Sequence, residues 1–401
     1  MRRVAGPLVA IAAIAAACSS TAPEPVAVTA AQTTTVPSTT VPLEEAGATT
    51  TTIESRPIFE DGPLGEECPS RIVVQIDGQA SVVHGPLLHL LGDEVTVDLD
   101  QQSLAAPLVR ADGTPESVTL EVRFGGPAVG FRAPVELLGA DDAITMVETG
   151  IVDVAAAALS DTAVTAVLSL TDTSHHMIMW DPQTYPDVDG FEGLRGADVS
   201  IRHVTGERFI EFLVARGVLD STQLIDGFFG EPAAFVADGG VSAQQGDALV
   251  DPFLYPTLTQ WGRPIASELA SVVGWDSYDD VLAVRSSELE DLTPCLGRLV
   301  PIVQDALVAY AENPTPTNEL LATWRVAFNP LTRATLDRLD AGAAASIELG
   351  VVSVGSDATV GSFDLDRLDT FLDAADAALG IEPVPMENLV TNDFIALDRS
   401  L

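Results

Sequence analysis

The chain has 401 residues, 59 of them acidic and 19 basic, for a formal net charge of −40. All nineteen basic residues are arginine, which excludes Schiff-base catalysis, a lysine general base and a phosphate-loop lysine. The charge excludes nucleic acid, whose phosphates it would repel, and the 47% hydrophobic content suits a globular α/β chain.

Met1-Arg2-Arg3 is followed by an apolar run from Val4 to Ala17 and then by Cys18-Ser19-Ser20. A basic start, a short apolar stretch and small residues describe a secretion signal, and the run is too short to span a bilayer. Cys18 directly after Ala15-Ala16-Ala17 marks residues 1–18 as a lipoprotein signal peptide, with Cys18 as the lipidated residue. The expected location is therefore extracytoplasmic, anchored to the cell membrane through lipid. Residues 19–56 are rich in Thr and Pro and poor in large apolar side chains, the composition of a disordered tether. With Cys18 assigned to lipid, Cys68 and Cys295 remain as an even pair in an exported chain, and a disulfide between them is expected. No metal site is expected, because neither CxxC nor HxxxH occurs.

Arg71 to Asp77 (RIVVQID) is the first predicted strand, with Gly78 to Ala80 as its exit loop. Ser81 to Leu91 has helical apolar spacing, in which Gly85-Pro86 is expected to break or restart the helix. Thr119 to Phe124 is a strand opening into Gly125-Gly126-Pro127-Ala128. Glycines there let backbone N–H groups approach a ligand, and a helix start favours an anionic or polar one; a plain tight turn is the alternative. Met146 to Leu159 reads as a helix or turn followed by a strand. Val164 to Asp172 and His176 to Trp180 are β-rich, and the chain is expected to change lobes at Thr173-Ser174. His175 and His176, as neighbours in a strand, are expected to face opposite ways and so not to share a site.

Asp198 to Val204 is a further strand, with Thr205 as the expected N-cap of a helix carrying Phe209, Phe212 and Leu213. Arg208 in its first turn is placed to reach an anionic group. Glu231 to Pro256 then reads as a short helix, a turn at Asp238-Gly239-Gly240, a strand from Val241 to Gln245, and an Asp251-Pro252 exit. A strand that empties into such a loop presents backbone at the carboxyl edge of an open α/β sheet. Tyr278 to Arg285 is the return strand. A long amphipathic helix, from Pro294 through Tyr310, and another from Asp366 to Leu379 follow. Gly355 to Gly361 is a turn with no assigned chemistry.

The run FVADGGVSAQQGDALVDPFLYP, with Asp251-Pro252-Phe253 and Tyr255, resembles the second-lobe signature of solute-binding proteins of ABC importers. The similarity is to the type II branch that includes nitrate, taurine, alkanesulfonate and thiamine-pyrimidine-precursor binders, here in an actinobacterial-type lipoprotein. Gly125–Ala128 and the Asn392-Asp393-Phe394-Ile395 ending agree with it, and the resemblance spans about Ser70 to Leu401. It implies a two-lobed type II periplasmic-binding-protein fold, each lobe a mixed sheet flanked by helices, with a ligand cleft between. Lobe 1 is expected at 70–172 and 286–401, and lobe 2 at 173–285. The implied ligand-binding set is Asp77, Gly78, Gly125, Gly126, Pro127, Glu148, Thr149, Thr205, Gly206, Arg208, Asp251 and Pro252. Where the family commonly has a stacking aromatic after the first strand's Asp, this chain has Gly78. The implied partners are a small organic molecule, ABC permease subunits and the membrane, with no cofactor, no catalysis and a monomeric chain. The alternatives are a surface sensory or scaffold lipoprotein of the same fold and an enzyme like the thiamine-pyrimidine synthase.

Overall fold

The computed structural model describes residues 62–228, 230–330 and 332–401. The signal segment, Cys18 and the tether lie outside the described residues.

Among the described residues, twelve strands build two sheets. They are β1 (Arg71–Gln75), β2 (Thr96–Asp98), β3 (Ser103–Val109), β4 (Pro115–Arg123), β5 (Met146–Thr149), β6 (Val164–Ser169), β7 (His176–Trp180), β8 (Ile201–Arg202), β9 (Leu224–Ile225), β10 (Ala243–Asp247), β11 (Ala266–Leu269) and β12 (Val281–Arg285). The first sheet runs β2-β3-β4-β1-β5-β12-β6 and the second β11-β7-β10-β8-β9. Both are mixed. In the first, β1 is parallel to β4 and β5, whereas β12 is antiparallel to β5 and β6. In the second, β10 is parallel to β8 and antiparallel to β7. Helices or a second layer cover both faces of the first sheet, so that even β6, the strand that ends it, is buried at all six positions. The chain passes between the sheets twice, once between β6 and β7 and once between β11 and β12.

Several local expectations change. Met146–Ala157 is a strand followed by a helix (Ile151–Ala157), the reverse of the predicted order. The strand predicted at Val241–Gln245 lies two residues later, as β10. Asp251-Pro252 opens the short helix Asp251–Leu254, occupying the first turn where proline's missing N–H is harmless. Thr205 does not cap the helix Arg208–Ala215; Glu207 stands at that N-cap, and the Thr205 hydroxyl donates instead to Asp226, 2.9 Å away. The long helix begins at Leu289, before Pro294, and runs to Glu312 with Pro294 and Pro301 inside it. Leu365–Leu379 is capped by the Asp364 carboxylate, which accepts from the N–H of Arg367, and ends at Gly380.

Gly85-Pro86 restarts the helix, as expected. Pro86 sits at the start of an α-helical turn, Gly85–His89, after a 3-10 turn, Val82–His84. Gly85 is required there because the Tyr310 ring of the long helix packs directly on its Cα. Together with the first sheet, the helices Leu289–Glu312, Thr315–Phe328 and Leu336–Glu348 enclose one large apolar core. A second core lies on the sheet's other face and continues into the second sheet through Ile178, Trp180, Phe212 and Trp275. Phe371, on the helix Leu365–Leu379, meets Trp275 edge-on at 5.3 Å, and Trp275 meets Phe212 at 5.3 Å. Helix Leu336–Glu348 also reaches the second lobe, where Gly342 lies so close to the Leu249 carbonyl that any side chain would collide with it. Cys68 and Cys295 are joined by a disulfide, pinning the segment before β1 to the long helix.

Candidate functional site

A cavity of about 360 Å³ opens where the two crossing segments meet the carboxyl ends of β1 and β5. Its charged lining comes from stretches far apart in sequence. Asp77 follows β1, His84 stands in the 3-10 turn after it, and Glu148 lies in β5. His175 and His176 come from the first crossing, Asp279 and Asp280 from the second, and Asp247 from the end of β10. Arg325 reaches the same space from helix Thr315–Phe328.

The polar groups are held to one another. His84 Nε2 lies 3.3 Å from a Glu148 oxygen, which also accepts the Asp77 N–H at 2.8 Å. His84 Nδ1 is 3.1 Å from the Ser81 N–H and 3.3 Å from its hydroxyl, so the ring closes the turn it sits in. His175 joins the end of β10 to the second crossing: Nδ1 is 3.2 Å from Asp247 and Nε2 is 3.4 Å from Asp280. Asp280 also accepts from the Thr171 hydroxyl at 2.9 Å, tying the two crossings together. His176 lies 3.6 Å from Asp279, whose other oxygen accepts from Trp275 Nε1 at 3.3 Å, and stacks on Phe209 at 4.6 Å.

These contacts set the charge states. Burial pushes the Glu148 carboxyl up to about 7, partly opposed by His84. Burial also raises Asp279, with His176 opposing. For His175, burial disfavours the cation, but Asp247 and Asp280 outweigh it and hold the pKa well above the usual histidine range. Asp280 and Asp247 are correspondingly lowered, the His175 cation overcoming their burial. The cavity therefore combines an ionised Asp–His–Asp bridge with one carboxyl, Glu148, that titrates near neutrality and others that burial raises.

A ring nitrogen of His84 and oxygens of Glu148 and Asp280 lie within 4.8 Å of one another, close enough to converge on one cation. Their positions, 84, 148 and 280, form no local motif, so ligand spacing in sequence could not have signalled them.

Of the residues singled out from sequence, Asp77, Gly78 and Glu148 line this cavity. The others are placed elsewhere or spent otherwise. The Gly125 N–H donates to the Gly78 carbonyl at 2.6 Å and offers nothing to a ligand, while Gly126 follows it into a 3-10 turn and Pro127 is exposed. Thr149 is buried within β5. Thr205 and Gly206 are exposed in a loop, and Arg208 lies 3.5 Å from Asp153 across the lobes. Asp251 accepts the Asp247 N–H at 2.8 Å, and burial raises its carboxyl to about 7. It braces the end of β10 behind the cavity, with Pro252 beside it. The Asn392 side chain makes a paired contact with the Phe363 backbone, at 2.9 and 2.8 Å, and so serves the fold.

His175 and His176 both line the cavity, against the alternation argument. His175 precedes β7 instead of lying in it, so strand geometry does not govern its direction. The expectation of an anionic ligand held by backbone N–H groups also meets a different lining, in which five carboxylates surround three imidazoles and one arginine.

No protein-family model matches the sequence, and no curated protein does. Solved structures do match in fold. A protein of Bordetella bronchiseptica RB50 aligns over 81% of this chain and 96% of its own, with a TM-score of 0.52 at 11% identity. The alkanesulfonate-binding protein SsuA from Xanthomonas axonopodis pv. citri, bound to MOPS, aligns over 80% of this chain and 98% of its own, at 0.50 and 14%. The periplasmic aliphatic sulphonate binding protein SsuA from Escherichia coli aligns over 80% and 96%, at 0.50 and 12%. The fold is thus the two-lobed type II periplasmic-binding-protein fold, two mixed sheets flanked by helices.

Proposed function

We propose that this chain is an extracytoplasmic solute-binding receptor, held at the membrane by lipid on Cys18, that captures a small organic molecule between its lobes and delivers it to an ABC permease. In this reading the moving lobes are 70–172 with 281–401 and 173–280, because β12, expected with the second lobe up to 285, pairs with β5 and β6 in the first sheet, and the chain acts as a monomer. The observation that carries the reading is the interlobe cavity, built from both crossing segments and from the strand ends of each sheet. Ligands of open α/β sheets bind at that edge. A solute seated there touches both lobes and favours the closed arrangement by its differential affinity. The two SsuA proteins of the same fold, named as sulfonate binders, lend the receptor role support.

The lining argues for a different solute from theirs. Asp77, Glu148, Asp247, Asp279 and Asp280 favour a cationic group, and an ammonium or guanidinium would gain most where Asp279 and Glu148 lack a full countercharge. The test is a thermal-shift panel of short amines, guanidines, neutral polyols and sulfonates on the purified chain. A ligand that binds only the folded state raises the melting temperature by mass action. An amine or guanidine hit that disappears in Asp279→Asn places the solute. No shift with any member, from folded protein, would refute the receptor reading in favour of a surface scaffold.

A further inference from the structure

Beyond Arg325 the cleft opens into a second chamber of about 480 Å³. It shares Ser81, Val250 and Arg325 with the first and is otherwise lined by different residues. Its polar wall carries three arginines, Arg325, Arg333 and Arg338, with Thr332 between them. Its apolar wall includes Val82, Leu249, Leu254 and Leu339. The one acidic lining residue is Glu231, which is exposed.

That arrangement runs against the rest of the molecule. The chain carries 59 acidic residues and 19 arginines, so a carboxylate partner is readily found. Among the described residues, most arginines have a carboxylate within 4.0 Å, for example Arg110, Arg123, Arg263, Arg285 and Arg367. None of the three chamber arginines does. Arg325 donates to the Ala80 carbonyl and, at 3.5 Å, to the Thr332 hydroxyl, both neutral, and its Nε is buried with no acceptor. Arg338 donates to the Thr257 hydroxyl and to the Arg333 carbonyl, both neutral. Burial lowers the pKa of Arg325 and Arg338, and the Arg333 charge adds to the effect on Arg338. Arg333 and Arg338 repel one another, and Arg325 adds a third cation without a countercharge to the same lining; an oxyanion there would relieve that repulsion while satisfying the open donors. The apolar wall opposite accommodates a short hydrocarbon body.

We infer that this second chamber binds a small organic anion, its oxyanion head on Arg325, Arg333 and Arg338 and its apolar body against Leu249, Leu254 and Leu339. The inference stands on the arginines and does not depend on the receptor reading of the first cavity. The test is calorimetric titration of the full chain with hexanoate and with inorganic phosphate, with hexylammonium as the control of opposite charge. Hexanoate is expected to bind more tightly than phosphate, because phosphate leaves the apolar wall uncovered. Arg333→Gln and Arg338→Gln, at exposed and half-buried positions, should each weaken hexanoate at least tenfold, and Asp279→Asn in the first cavity should leave it within twofold. Arg325→Gln should weaken it too; because Arg325 also holds Ala80, its melting temperature is measured alongside. Failure of both anions to bind the folded chain, hexylammonium binding as well as hexanoate, or affinity unchanged in Arg333→Gln and Arg338→Gln would each overturn the assignment.

Discussion

Gly85→Ala tests the packing that positions His84. A methyl group on Gly85 would meet three carbons of the Tyr310 ring at 2.5 Å or less. The ring has little room to retreat, because Tyr310 is 5% exposed and its hydroxyl donates to Asn318 Oδ1 at 2.8 Å. Asn318 in turn donates to Asp340 at 2.9 Å, so one displacement disturbs the contact of three long helices. Overpacking of this kind costs about 1–3 kcal/mol, and loss of the buried hydrogen bond adds about 1 kcal/mol. The substitution should therefore destabilise the chain by about 2–4 kcal/mol, read from the urea midpoint at constant slope. A double-mutant cycle isolates the cause: in a Tyr310→Leu background the same Gly85→Ala change should cost about 1 kcal/mol or less. Additive costs in the cycle, or a Gly85→Ala cost below about 0.5 kcal/mol, would refute the argument that the ring dictates glycine there.

Three further outcomes follow from the site and its supports. Glu148 and Asp251 have folded pKa values raised to about 7, so the native state keeps protons that the unfolded chain releases at lower pH. Their contribution is complete below the unfolded carboxylate values and lost as pH rises through about 7. His175, held above its usual value, acts in the same direction. The urea midpoint should accordingly fall between pH 5 and pH 8, and Glu148→Gln or Asp251→Asn should each flatten part of that fall; a slope unchanged in both variants would contradict the assignment. The Cys68–Cys295 bridge closes a separation of 227 residues, for which chain entropy alone gives about 5 kcal/mol, so reduction should lower the melting temperature and Cys295→Ala should reproduce the loss. Trp275→Ala empties the junction of Phe212 and Phe371 and removes a donor from Asp279; a cost of about 3–5 kcal/mol is expected, and one under about 1 kcal/mol would show the junction to be loosely packed.

What could be read from the sequence was local and periodic. The apolar runs at Arg71–Asp77, Val164–Asp172 and His176–Trp180 announce strands buried on both faces, because sheet burial imposes hydrophobicity on consecutive residues. The order of strands and helices carried the α/β class and, through the resemblance, the two-lobed architecture. Where local rules misplaced an element, a distant contact had overridden them. His175 escapes strand alternation because it precedes β7 and is held between Asp247 at the end of β10 and Asp280 on the second crossing. Residues 92–118 show no strand signal of their own, yet they supply the outer strands β2 and β3 and the start of β4.

The site belongs to the other category. His84, Glu148, His175, Asp247 and Asp280 come together only because the chain crosses twice between the sheets, and no spacing in sequence encodes that meeting. The same holds for charge. Composition establishes an acidic chain whose only basic side chain is arginine, and it establishes this without any coordinates. Which arginines find a carboxylate, and which three are left facing a chamber, depends on distances of a few ångströms between segments remote in sequence. Electrostatic energy follows those distances and the surrounding burial, so the tertiary structure alone decided where a charged ligand would gain most.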